Sequence, residues 1–142
     1  MTFEFDLGLS FLSCDLLLAQ QLAHELVPLR CFVYSRSQDE VAGTDGVETF
    51  AAVFKKKTLL NVVLWRAGWG DTPWTAIEAA AIRDRALLTA YKTLVIIDLD
   101  GSPPPPWVPH THIAYSLSQF GAKEAVGVLR ARALEAGASS PW

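Results

Sequence analysis

Cysteine is scarce in this sequence. Cys14 and Cys31 are the only two in 142 residues. That is too few for a disulfide framework and too few to cage a metal. Reduced thiols and a cytoplasmic location are the simpler reading, with no metal site expected. Charge is thin as well. Charged residues make up 19% of the chain and the net charge is −3, which argues against a nucleic-acid surface. The one basic run, Lys55-Lys56-Lys57, fits a helix end better, where cations suit the dipole. No stretch reaches the ~20 apolar residues needed to span a bilayer, so no membrane association is expected. Leu7 to Ala19 is largely apolar, but Glu4 and Asp6 precede it where a signal peptide needs positive charge, and Asp15 interrupts it.

What the chain has in quantity is apolar side chains, at 51%. This supports one domain with a real core and argues against disorder. It also leaves apolar surface for self-association. The stretch from Thr58 to Ala90 organises the rest. Thr58 to Trp65 is almost unbroken in apolar residues and short, the pattern of a strand covered on both faces. Thr72 is a good N-cap and Pro73 suits the first helical position, so a helix over Pro73–Ala90 is expected. Its first two turns carry one acidic residue, Glu78. Glu78 should therefore lie near the carboxyl end of a central strand, where open α/β sheets bind ligands.

The remaining elements follow in order. Phe3, Phe5, Leu7, Leu9 and Phe11 alternate with smaller or polar residues, which predicts a strand. Ser13-Cys14-Asp15 supplies a cap for a helix with Leu18, Leu22 and Leu26 on one face, ended by Pro28. Leu29–Tyr34 reads as a second strand. Ser35–Gly43 reads as a flexible loop. A helix with Val47, Phe50, Val53 and Phe54 on one face comes next. Thr93–Asp98 is a fourth strand, and Asp98–Pro109 a loop stiffened by four prolines. Thr111–Tyr115 is a short fifth strand, Gln119–Leu134 a last helix, and 137–142 a tail or linker stump. The order β-α-β-α-β-α-β-loop-β-α predicts a three-layer, flavodoxin-like α/β domain over residues 1–136. It would have five parallel strands with helices on both faces. Loops after the first three strands then converge at one edge.

Three pieces resemble a family. Phe5-Asp6-Leu7-Gly8-Leu9-Ser10-Phe11, Cys31-Phe32-Val33-Tyr34-Ser35-Arg36 and Trp74-Thr75-Ala76-Ile77-Glu78 are similar to the first strand, the second strand and the third-helix start of the bacterial TIR (Toll/interleukin-1 receptor) domain. The resemblance covers roughly Phe3 to Leu134. It implies cleavage of NAD at the nicotinamide–ribose bond, with Glu78 as the essential residue. The product would be ADP-ribose or a cyclic isomer that signals in antiphage defence. It also implies activation by assembly into a homo-oligomer or filament through the BB loop, residues 35–43. A sensor domain or partner protein would supply the trigger. NAD is then substrate, and no cofactor is required. Leu12, Ser13 and Cys14 after the first strand, and Ser35 after the second, depart from the family's usual small and acidic residues.

One carboxylate suffices for this chemistry. Glycoside hydrolysis ordinarily takes two carboxyl groups. Nicotinamide on ribose is already cationic and leaves neutral without a proton. What remains is to stabilise the positive charge growing on the sugar, which an ionised Glu78 near a helix N-terminus does electrostatically. Phe11, Tyr34, Trp69 and Trp74 are candidates to stack on the rings of the dinucleotide. Ser10 and Arg36 are candidates for the ribose or phosphates. Trp69, between two glycines, reads as an exposed loop aromatic.

Competing readings stand beside these. Glu78 could be a solvated helix residue, Trp74 a packing anchor, Arg36 a solvated loop residue and Phe11 partly core. A non-catalytic TIR adaptor working through homotypic contacts is the alternative function. A relative of the nucleoside deoxyribosyltransferases, which share the sheet and use a Glu, is a third. Asp98-Leu99-Asp100-Gly101 copies a phosphatase opening motif, but Lys123 is the one lysine after it, so a strand end with a turn is the better reading. His110 and His112 lack a third ligand nearby for zinc. Gly68-Trp69-Gly70 lacks the third glycine of a dinucleotide fingerprint.

Overall fold

The structure is a computed structural model that describes residues 3–34 and 46–138. Arg36 and the loop over 35–43 lie outside those residues. The elements are β1 (Phe5–Ser10), α1 (Leu16–Leu26), β2 (Cys31–Val33), α2 (Gly46–Ala52) with a π-helical turn over Val53–Lys57, β3 (Thr58–Trp65), α3 (Pro73–Leu88), β4 (Leu94–Asp98), β5 (Tyr115–Ser116), α4 (Leu117–Phe120) and α5 (Ala122–Glu135). The five strands are all parallel in the order β2-β1-β3-β4-β5. This is the flavodoxin-like doubly wound arrangement.

Alternation along β1 sorts the two faces. Leu7 and Leu9 join Leu60, Val62, Leu64, Val95 and Ile97 in a core covered by α1 and α5. The even residues Asp6, Gly8 and Ser10 face the other way, toward α2 and α3. There the core is Phe54, Val63, Trp65, Trp69, Ala81, Ile82, Leu94 and Ile96. Because both faces are covered, Asp6 and Ser10 are buried despite their polarity. β3 runs down the middle and is buried at every position but Leu59. Each fully buried Leu or Val in it stabilises the fold by about 1.5–3 kcal/mol.

Gly8 is small for a reason. A Cβ there would lie 2.7 Å from Thr58 Cγ2 and 3.1 Å from Phe54 Cε1. The space of the missing side chain is taken up by the Thr58 methyl and the Phe54 ring. Gly8→Ala is expected to cost about 2 kcal/mol through overpacking. Urea unfolding should show the midpoint fall with the slope unchanged.

Several elements differ from the sequence expectation. The second strand is Cys31–Val33 rather than Leu29–Tyr34, with the Leu29 N–H still turned back to Leu26 O. The fifth strand is Tyr115–Ser116 rather than Thr111–Tyr115. The segment before it comes off the proline run in a turn, with the His112 N–H donating to Pro109 O, and Ile113 is left 90% exposed. The last helix is not continuous. It breaks at Gly121, whose carbonyl accepts from Tyr115 Oη at 2.8 Å. Residues 137 and 138, read from the sequence as the start of a tail, continue the ordered structure. Gly137 and Ala138 cap α5 through bonds to Leu134 O and Ala133 O, and Ala138 packs on the core.

Candidate active site

In this topology the chain leaves β1 toward one face and β3 toward the other, so a crevice opens at their carboxyl ends. Ser10, the last residue of β1, is fully buried and points to the α3 side. α3 begins as the sequence predicts. Thr72 Oγ1 accepts from the Thr75 N–H at 3.1 Å, with Pro73 in the first turn. Its buried stripe is Thr75, Glu78, Ala81, Ile82, Arg85 and Ala86, the helical spacing of a core face. That stripe carries Glu78 against the sheet, and the side chain is only 6% exposed. Ser10 Oγ donates to Glu78 Oε1 at 2.5 Å. Trp69 Nε1 donates to Ser10 Oγ at 3.0 Å. Three residues from β1, the β3–α3 loop and α3 thus meet in one buried chain of hydrogen bonds.

No protein-family model matches this chain, and no curated protein matches it.

Burial pushes the Glu78 carboxyl up to about 7, against the Ser10 hydrogen bond, which pulls it down. This corrects the expectation that the helix N-terminus keeps it ionised. Glu78 sits in the second turn of α3, beyond the reach of the helix dipole, and desolvation outweighs the one hydrogen bond. Nor is it a solvated helix residue.

Trp69 is also corrected. It is 4% exposed and packs edge-to-face on Trp65, with ring centroids 6.0 Å apart. Gly68 and Gly70 have φ of 99° and 91°. These left-handed positions on either side of Trp69 let the loop turn the indole inward. One edge of the indole reaches Ser10, and other atoms of the ring line a cleft of about 570 Å³ between this loop and the proline run. Trp65, Trp107, Pro103–Pro106 and Asp71 are among its other lining residues.

The remaining candidates divide. Trp74 lies one helical turn before Glu78. It packs with Tyr34 (5.9 Å between centroids) and Phe50 (5.3 Å), while Tyr34 and Phe50 are 4.2 Å apart. This aromatic group is partly exposed. The Trp74 Nε1 is buried without an acceptor among the described residues, a donor left for something else to meet. Phe11 is not brought to Glu78. It packs against the core on the α1 side.

Two further features were not foreseen. Phe50 joins the aromatic group, although its position on the apolar face of α2 suggested only core. Asp15 does not cap α1. It is 5% exposed, and Arg66 grips it with Nε and Nη2 each 2.7 Å from a carboxylate oxygen. The pair ties the head of α1 to the end of β3 across the crevice. Asp98 and Asp100 close the end of β4 as a turn. Asp98 Oδ1 accepts from the Gly101 N–H, and Asp100 accepts from the Ala67 and Ser102 N–H groups. The Ala67 amide, first among these, holds the Asp100 carboxyl below its ordinary range.

Proposed function

We propose that this chain is a TIR-type NAD glycohydrolase, with Glu78 as the catalytic carboxylate. The supporting observation is the placement of Glu78. It is a buried carboxyl at the switch point of a doubly wound sheet, flanked by Trp69 on one side and by Trp74 on its own helix. A nicotinamide ring needs flat apolar walls and the ribose needs a carboxylate close by. The Trp69 cleft and the Tyr34–Trp74 group offer the first; Glu78 does not itself line the Trp69 cleft and is joined to it through Ser10 and the Trp69 indole.

In this reading the glycosidic bond breaks with both electrons going to the nicotinamide ring, which leaves neutral. The ionised carboxyl opposes the positive charge left on the sugar carbon, in a site dry enough to make that interaction strong. Water completes hydrolysis to ADP-ribose, or an internal nucleophile of the same molecule closes a cycle. Assembly through residues 35–43, with Arg36 among them, completes the site from a neighbouring subunit. An antiphage signalling role goes with this activity.

The test is incubation of the purified protein with NAD, in dilute solution and under conditions that drive assembly. Nicotinamide and the sugar product are measured by mass spectrometry. Nicotinamide release that is lost in Glu78→Gln is the expected outcome. Intact NAD under every condition ends the enzymatic reading.

One observation favours the adaptor reading instead. In the subunit alone Glu78 is almost fully covered, and burial pushes its carboxyl up to about 7, which disfavours the charged form that the enzymatic reading needs. Binding of TIR partners that survives Glu78→Ala, with NAD untouched, would select that alternative.

A further inference from the structure

Serine has one proton to give. An indole N–H can only donate, so Ser10 Oγ is the acceptor in its 3.0 Å contact with Trp69 Nε1. The serine's own proton then has Glu78 Oε1, at 2.5 Å, as its partner. With the carboxyl ionised, the whole chain runs one way, from the Trp69 N–H through Ser10 to Glu78.

We infer that Trp69 is a positioning residue: its N–H commits the Ser10 proton to Glu78, so that the carboxyl is held in place and stabilised in its charged form. The deduction rests on Glu78 being the working group of the proposed reaction. Hydrogen bonds in series polarise one another, so the indole strengthens the bond that Ser10 gives to a carboxylate. With the N–H removed, the serine oxygen is a weaker donor and a better acceptor. That favours the protonated carboxyl, the form unable to stabilise a cation.

The other charged or titratable groups on the surrounding elements include Asp6 on β1, Lys56 and Lys57 in the π-helical turn, Asp15 and Cys14 before α1, and Tyr34 after β2. To these add Glu48 and Lys55 on the α2 side, Arg66 and Asp71 in the β3–α3 loop, and Arg83, Asp84 and Arg85 on α3 itself. Among the described residues none of these moves Glu78 noticeably. Burial raises it and Ser10 lowers it. Ser10 is therefore the one lever, and Trp69 is the hand on it.

The experiment follows the Glu78 carboxyl by NMR of protein labelled with ¹³C at the glutamate carboxyl, with Glu78→Gln assigning the signal. The wild type should titrate about 7. Trp69→Phe keeps a ring but no donor, and should raise the midpoint by roughly half to one pH unit. Ser10→Ala should raise it at least as far. The double variant should match Ser10→Ala alone, because Trp69 acts through the serine. A Trp69→Phe midpoint equal to the wild type overturns the deduction. So does a Trp69→Phe effect that adds in full to Ser10→Ala. Should Trp69→Phe not fold, benzothienylalanine at position 69 keeps the bicyclic ring and replaces N–H with sulfur, and the same two outcomes decide. The titration needs no NAD turnover, so a failure of the Trp69–Ser10 coupling is told apart from a failure of the enzymatic reading.

Discussion

Glu78→Gln should make the protein more stable above pH 7 while abolishing nicotinamide release. The carboxyl has an ordinary value of 4.5 and is raised to about 7 in the fold. Below pH 4.5 it is protonated in both the folded and unfolded states, and folding carries no charge penalty. Between 4.5 and 7 the unfolded chain gives up the proton while the folded chain keeps it, so stability falls as pH rises. Above 7 the full cost of a buried charge is present, about 3 kcal/mol for this difference. Glutamine has nearly the same shape, accepts the same Ser10 hydroxyl and never ionises. The variant should therefore match the wild type at pH 4 and exceed it at pH 8 by about 3 kcal/mol, or roughly 10 °C in Tm. Activity should fall at least ~10³-fold, since the charge that opposes the developing cation is gone. The wild-type kcat/KM should climb with pH through about 7, as the free carboxyl ionises. A stability difference that is flat from pH 4 to 8 would show that Glu78 is not desolvated in the folded chain.

Arg85→Ala is expected to act in the opposite sense and by a similar amount. Arg85 is 7% exposed and has no carboxylate partner among the described residues. Its guanidinium donates to Thr58 Oγ1 at 2.8 Å, Leu59 O at 3.2 Å and Phe54 O at 3.3 Å, and lies over the Phe3 ring. Burial lowers its pKa. Two of the acceptors are backbone carbonyls and one is the Thr58 hydroxyl, all where the π-helical turn runs into β3, and Asn61 Nδ2 shares Phe54 O with Arg85. Removal leaves buried carbonyls short of donors and a hole against Phe3. The expected loss is about 3–4 kcal/mol, read by urea unfolding. Arg85→Lys should recover little, because a single ammonium does not reproduce the planar fork that reaches several acceptors. Arg132→Ala, which breaks an exposed pair with Glu135, should cost less than about 0.5 kcal/mol. If Arg85→Ala costs no more than Arg132→Ala, the network is not holding the junction.

The fold was legible because its signals are local. The uninterrupted apolar run of β3, the Thr72-Pro73 helix start and the alternation along β1 each follow from one short stretch. The site was legible in part. Ser10 at a strand end and Glu78 six residues past a cap were both placed on the right elements. What escaped depends on contacts between distant segments. The protonation of Glu78 follows from what covers it, not from its neighbours in sequence. A Gly-Trp-Gly turn can face either way, and only the buried Ser10 oxygen gives the Trp69 indole a reason to turn inward. Arg85 lies on the buried stripe by spacing, but its charge reads as surface until the free carbonyls beside Thr58 are seen. Asp15 and Arg66 are 51 residues apart, and nothing in either stretch announces the other.

That last pair governs how the crevice moves. A two-pronged grip joining the first and third connections makes them travel together, so thermal motion on this side shifts both banks without parting them. Widening the gap for a large molecule must come from the connections that this clasp leaves alone. Severing it would loosen both banks at once, and the change would be felt at every residue between them.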